Sequence, residues 1–368
     1  PTERDAAEPE VDVLLPWGDS GPPPAGQWRE DPLGPGFESQ TIALEPDDEG
    51  EVVATIVRFK PAVRRFARQA APRFLVLHIH GRNDYFFHSE TAEVLAGLGA
   101  AFYALDLRKH GRSLRPWQTI GYATDLRDYD EEIDAAVALM RAEHPELPLF
   151  LLAHSTGGLI ATLWAWNHPH ELRGLMLNSP WLELQVAPPV RNGLHHAARG
   201  LAQLRPHTAI VGMAKTDAYY RSLSEGWAGS GLPRPSIFEE NRDDPAHVGW
   251  PVSPEWKRPF SYPAPAAWVT AILDAQESVE KDVHLGCPVL AMASTRFGSE
   301  DEWGEHIFDS DVVLDADLMT ERAAGLADSV TIARFPGKHD LLLSDPPVRE
   351  AIYDTIGRWL QFIGLGEE

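Results

Sequence analysis

The chain has 368 residues, a net charge of −23 and a single cysteine, Cys287. So acidic a balance argues against general affinity for nucleic acid or anionic membrane, both of which need basic surface, and against polyanionic substrates. A chain of this length can bury a core large enough to fold without disulfide or metal, and Cys287 reads as a small buried residue just ahead of a strand.

Residues 1–38 are rich in Pro, Gly and acids, including Gly21-Pro22-Pro23-Pro24. A loosely structured extension is expected, resting on the surface through Trp17 and Trp28. Pro1–Ser20 carries acids and prolines where a secretory leader needs basic and then apolar residues. No apolar run approaches the roughly 18 residues of a membrane span, so a cytoplasmic protein without stable membrane insertion is expected. Ser39–Leu44 and Val52–Phe59 flank the turn-like Glu45–Glu51, which predicts a β-hairpin. Continuous apolar runs follow at Phe74–Ile79, Ala101–Leu105, Leu149–Ala153, Gly174–Leu177, Val289–Ala293 and Val330–Phe335. Unbroken rather than alternating apolar character marks strands covered on both faces, as in a parallel sheet. Between them, Asp125–Glu143 carries Leu126, Tyr129, Ile133, Val137 and Met140 at helical spacing, and Val348–Ile363 closes the chain in the same manner. The alternation predicts a doubly wound α/β fold with its core in residues 39–182 and 287–368. Residues 183–286 interrupt it with many prolines, Trp227, Trp250, Trp256 and Trp268, and no strand run. That is too long for a loop in a compact domain, so a cap or lid subdomain is expected there.

The strongest chemical signal is Leu151-Leu152-Ala153-His154-Ser155-Thr156-Gly157-Gly158. A buried strand ends, a serine sits at a tight turn and a helix begins at once, the pattern of a nucleophile elbow. The positions two before and two after such a serine must be small, because strand and helix backbones meet there; Ala153 and Gly157 meet that demand. His339, in Gly337-Lys338-His339-Asp340, lies on a loop after the last strand, from which it can reach a serine on an earlier one. His78-Ile79-His80-Gly81-Arg82 ends the first long core strand and can present a backbone N–H to an oxyanion. The donors would be the N–H groups of Arg82 and Thr156. His78 and His80 read as structural.

Taken together these segments resemble the monoacylglycerol lipase and lysophospholipase-like branch of the α/β-hydrolases. The likeness also takes in Asp106-Leu107-Arg108-Lys109-His110-Gly111-Arg112-Ser113 and Leu177-Asn178-Ser179-Pro180, and it covers residues 74–182 and 287–365. It implies an α/β-hydrolase fold and a Ser–Asp–His hydrolase, with no metal or organic cofactor. Two departures stand out. Ala153 replaces the more usual glycine, and Thr295–Ser310 intervenes where the family's acid follows its strand closely. Asp301, Asp309, Asp311 and Asp315 are therefore all candidates. Asp311-Val312-Val313-Leu314 followed by a helix resembles the family's acid and apolar turn, which selects Asp311 ahead of Asp309. Asp315 fits a helix N-cap with Leu314 and Met319 as its staple. The implied substrate is a carboxylic ester or its internal form, a lactone, and the aromatic insertion favours a neutral, lipophilic one. An aminopeptidase or amidase, or an acyltransferase, would use the same three residues; a non-catalytic binding protein would not need them.

Overall fold

The apolar runs become strands in the computed structural model, which describes residues 21–61 and 71–365. In chain order they are β1 (Arg29–Glu30), β2 (Phe37–Asp47), β3 (Gly50–Phe59), β4 (Phe74–Ile79), β5 (Ala100–Asp106), β6 (Leu149–His154), β7 (Leu172–Asn178), β8 (Ala209–Val211), β9 (Ala264–Pro265), β10 (Val289–Ser294) and β11 (Val330–Phe335). Nine of them form one sheet in the order β1-β2-β3-β5-β4-β6-β7-β10-β11. From β5 to β11 every neighbouring pair is parallel, while β1, β2 and β3 add an antiparallel edge. β4, β6 and β10 are buried at every position, as continuous apolar runs require. One face is covered by helices Asp130–Glu143, Thr156–Asn167, Ala266–Lys281 and Ala316–Ala323. The other is covered by helices Ser89–Gly97 and Pro346–Leu360.

This order places the site. After β4 the chain adds β5 on one side and then crosses to lay β6 on the other, so the winding reverses between β4 and β6. A crevice opens at the carboxyl ends of strands at such a switch, and loops from both enter it. Ser155 follows β6 and Gly81 follows β4.

Several expectations change in detail. The long helix over Asp125–Glu143 is divided: Asp125 caps a 3-10 turn, Leu126–Tyr129, and the α-helix proper is Asp130–Glu143. The last helix starts earlier, at Pro346, where a missing N–H costs nothing in the first turn. The insertion is not free of strands, because β8 and β9 pair antiparallel. Both are too short, and β9 contains a proline, for a periodic signal to show. The boundary expected at residue 38 falls inside β2, and β1 pairs onto that strand ahead of it. Trp28 packs beneath the Arg58 guanidinium, 3.8 Å from its ring, whereas Trp17 lies outside the described residues.

Arg112 ties the extension to the core. Its Nε and Nη2 donate to the two Asp31 carboxylate oxygens at 2.8 Å, and its Nη1 donates to Asp106 at 2.9 Å and to the Phe86 carbonyl at 2.8 Å. All three charged side chains are buried. Coulomb attraction in such a site repays desolvation only while the set is complete, and removing one member strands the others. Arg112→Leu is expected to cost about 3–5 kcal/mol of stability, read from the urea midpoint, because two carboxylates lose their cation.

Candidate active site

Ser155 stands between β6 and helix Thr156–Asn167 with φ 52° and ψ −120°, a backbone conformation that L residues seldom hold. The surroundings enforce it. The Ser155 N–H donates to the Asn178 carbonyl of β7 (3.1 Å), and its carbonyl accepts from Gly158 and Trp181 (2.9 and 3.0 Å). A Cβ on Gly157 would fall on the His80 carbonyl oxygen, and one on Gly81 would lie 3.0 Å from Ser155 Cβ. Glycine at both positions is therefore what lets the loop after β4 touch the turn after β6. Thr156 is the first helical residue, so its N–H has no acceptor within the helix and points towards the crevice end. The loop after β4 is steadied by His80, whose Nδ1 donates to the Gly81 carbonyl (2.7 Å) while Nε2 accepts from the Leu107 N–H (3.0 Å).

His339 Nε2 lies 3.0 Å from Ser155 Oγ, and His339 Nδ1 lies 2.8 Å from Asp311 Oδ2. An ionised carboxylate only accepts, so Nδ1 carries the proton and Nε2 is left to accept from the serine. All three side chains are buried. Asp311 Oδ1 accepts the N–H groups of Val313 and Leu314 at 2.8 and 2.7 Å, which fixes the carboxylate plane. Residues 295–310 separate Asp311 from β10 in sequence but not in space. The Asp311 N–H donates to the Arg296 carbonyl (3.0 Å) and its carbonyl accepts from Gly298 (2.8 Å), so the excursion is pinched shut at its base.

The other acids are engaged elsewhere. Asp309 is 43% exposed and pairs with Arg296. Asp315 caps helix Ala316–Ala323 through the N–H groups of Asp317 and Leu318. Asp301 is exposed and accepts from Ser299 Oγ.

A second polar layer lies behind the serine and histidine, and sequence reasoning missed it. Asn178 Nδ2 donates to Asp340 (2.7 Å) and Asn178 Oδ1 accepts from the Leu341 N–H (3.2 Å), so β7 holds the histidine loop. The His154 ring packs at a tilt against that of His339, centroids 4.8 Å apart, and burial lowers its pKa to about 4, so it is neutral. Asp84 pairs with Lys257 at 2.8 Å, both side chains buried. Burial alone would raise the Asp84 carboxyl, and its charged and hydrogen-bonded surroundings, Lys257 foremost, more than reverse this. Asp84, His154 and Asp340 bring one donor atom each to within 4.8 Å of one another, a grouping a cation could use. Lys257 and Asn178 already engage its two carboxylates. Asn178 and Asp340 could have been found from their motifs, whereas Lys257 carries no pattern at all.

A family model described as "Serine aminopeptidase, S33" matches residues 70–296. Human monoglyceride lipase is 33% identical over 111 residues, covering 30% of this chain and 35% of the relative. Phospholipase YtpA of Bacillus subtilis is 31% identical over 141 residues, covering 38% of this chain and 52% of the relative. The chain thus spans about a third to a half of the length of these curated relatives. In fold, it is similar to the crystal structure of a soluble variant of Saccharomyces cerevisiae monoglyceride lipase in complex with a substrate analogue. The TM-score is 0.59 at 15% identity, covering 88% of this chain and 94% of that one.

A hydroxyl hydrogen-bonded to a neutral imidazole reacts with a fluorophosphonate at neutral pH, and an isolated serine does not. Ser155 is expected to be the serine labelled stoichiometrically, with labelling lost in Ser155→Ala. Asp311→Asn should slow labelling by about 10³-fold because the imidazole tautomer is lost, whereas Asp309→Asn should change it less than about threefold. Mass spectrometry of the labelled peptide and the labelling rate check both.

Proposed function

The chain belongs to the serine aminopeptidase S33 family of α/β-hydrolases, and on that premise we propose that it hydrolyses a carboxylic ester through an acyl-enzyme on Ser155. The observation that carries the reading is the relay Ser155–His339–Asp311, with separations of 3.0 and 2.8 Å on a strained elbow. His339 takes the Ser155 proton as Oγ attacks the acyl carbon, and Asp311 stabilises the imidazolium that forms. The N–H groups of Arg82 and Thr156 hold the tetrahedral oxyanion. His339 then returns its proton to the leaving alcohol, and water repeats the sequence on the acyl-enzyme. The reaction asks for no metal or organic cofactor.

The insertion of residues 183–286 serves as the cap over the strand ends. Aromatic wall is supplied by Trp181, whose backbone N–H donates to the Ser155 carbonyl, by Trp268, its ring centroid 6.1 Å away, by Tyr262, which with Trp268 lies against Arg82, and by Tyr219, edge-on to His339 at 5.9 Å. Such walls favour a neutral, lipophilic ester of medium size, or a lactone of similar bulk. Two of the relatives are named for monoglyceride and phospholipid, which agrees with an ester rather than an amide. The family description names an aminopeptidase, and that second reading needs a carboxylate to receive a free ammonium. The carboxylates behind the site, Asp84 and Asp340, are engaged by Lys257 and Asn178, and Arg82 on the oxyanion loop is cationic. An ester is therefore preferred.

A panel of p-nitrophenyl esters from acetyl to dodecanoyl, a monoacylglycerol, an aromatic macrocyclic lactone and aminoacyl anilides separates these readings. The expected result is a kcat/KM at least about tenfold higher for medium acyl chains or the lactone than for acetyl, since each buried methylene contributes about 0.8 kcal/mol. Equal values across the acyl series, or a preference for the anilides, would overturn it.

A further inference from the structure

Four consecutive residues of the loop after β4 are each bound by the insertion. The Arg82 guanidinium donates to the Tyr262 carbonyl and lies over the rings of Tyr262 and Trp268, 4.4 and 4.7 Å from their centroids. Asn83, held at φ 53°, exchanges two hydrogen bonds with the Arg258 backbone, Nδ2 to O and N to Oδ1, both 2.9 Å. Asp84 takes Lys257, and the Tyr85 hydroxyl accepts from the Ser253 N–H (2.8 Å). The histidine loop is bound in the same way. Lys338 Nζ donates to the Ser222 carbonyl (2.8 Å), the Tyr219 hydroxyl accepts from the Asp340 N–H (3.1 Å), and Trp250 Nε1 donates to the Leu343 carbonyl (3.2 Å).

We propose that residues 219–262 of the insertion clamp the oxyanion loop and the histidine loop to each other, with Lys257 as a positioning residue for catalysis. The reason lies in charge. The clamp brings the Asp84 carboxylate of one loop to within 4.8 Å of that of Asp340 on the other, both buried, with the His154 ring beside them. Like charges at that spacing in a dry site repel, and a cation paired with one of them offsets the repulsion. Lys257 Nζ supplies that cation from the insertion, 2.8 Å from Asp84 and over the Phe87 and Tyr219 rings at 5.8 and 5.9 Å. Without it the loops part, and the Arg82 N–H leaves the place where the oxyanion forms. Binding of the ground-state ester is hardly touched, because that donor acts mainly in the transition state.

The inference rests on the serine hydrolase reading above, and the test keeps the two apart. Lys257→Met, Asp84→Asn/Lys257→Met and Tyr219→Phe are compared with the unaltered protein on p-nitrophenyl butyrate, each rate normalised to sites titrated by fluorophosphonate. Normalisation removes any unfolded fraction, so a purely structural role would leave kcat unmoved. Lys257→Met is expected to lower kcat about 10²-fold with KM within about threefold, the size of losing one oxyanion donor. The double variant removes the stranded charge and should recover to within about tenfold of the unaltered protein. Tyr219→Phe deletes one acceptor without stranding a charge, and should lower kcat about fivefold at constant KM. An unchanged kcat in Lys257→Met, or a double variant no better than the single one, overturns the proposal. If both Lys257 variants fail to fold, Tyr219→Phe decides: an unchanged kcat overturns the clamp. Neither labelling nor turnover in the unaltered protein would instead sink the hydrolase reading, and the clamp with it.

Discussion

The turn at Ser155 sets the terms for the rest of the molecule. A non-glycine residue at φ 52° and ψ −120° costs on the order of 1–3 kcal/mol, and the conformation persists only where neighbours over-determine it. Here they do so from three sides. β7 accepts the Ser155 N–H, Gly158 and Trp181 donate to its carbonyl, and the loop after β4 closes against it across Gly81 and Gly157. The last contact demands that β4 and β6 be adjacent, as the strand order β5-β4-β6 makes them. Histidine and acid then come from β11 and β10, which lie beyond β7 on the same side of the sheet. The strain is held by backbone contacts around the turn itself, so the fold alone keeps the Ser155 hydroxyl in place beside His339.

Charge is distributed on a different principle from the one the net value suggests. A chain at −23 nevertheless neutralises most of its buried acids locally, among the described residues. Asp31 and Asp106 share Arg112, Asp84 has Lys257, and Glu183 has Arg191 and Arg322. Glu132 is fully buried beside Arg108, and burial still pushes its carboxyl up to about 7. The excess negative charge therefore sits at the surface, where it governs solubility and repels anions at long range. Lys338, adjacent to His339, is the reverse case: burial draws its ammonium down to about 8, with a carbonyl at 2.8 Å and the Phe308 ring at 4.6 Å as its close partners.

What could be read from the chain follows from which interactions leave a local pattern. Five of the six parallel strands were legible because burial on both faces writes a nearly unbroken apolar run; β4 and β11 keep the predicted bounds, although β11, at the sheet edge, is buried only at Phe335 and so departs from the two-sided burial expected of it. The elbow was legible because its steric demands fall on residues two positions either side of the serine. Asp311 was harder. The base of the 295–310 excursion is closed by backbone bonds of Arg296, Gly298 and Asp311, which any sequence could make. β8 and β9 are short and far apart in sequence, so no periodicity announces them. Lys257 and Asp84 meet only in the folded chain, and neither position is distinguishable in sequence from an exposed lysine or aspartate.

The aromatic residues of the insertion divide along the same line. Trp227 stacks on Phe308 with centroids 4.1 Å apart and donates to Asp345 at 3.0 Å, and Trp250 donates to the Leu343 carbonyl. Phe238 and Trp256 are buried within separate clusters that include Phe308 and Tyr85 respectively. These rings dock the insertion: each combines a large apolar face with burial, and the two indole N–H groups find acceptors in the catalytic half of the chain. Richness in tryptophan is thus mainly a property of the joint between insertion and core. The rings left to meet a lipophilic substrate under the proposed function are Trp181 and Trp268, Tyr262 against Arg82, and Tyr219 against His339. Two of them, Tyr262 and Trp268, also lie against the Arg82 guanidinium, so under the proposed function the surface that meets the substrate and the surface that aligns the loop after β4 are in part the same atoms. A change in substrate preference made at those rings would carry a change in turnover with it.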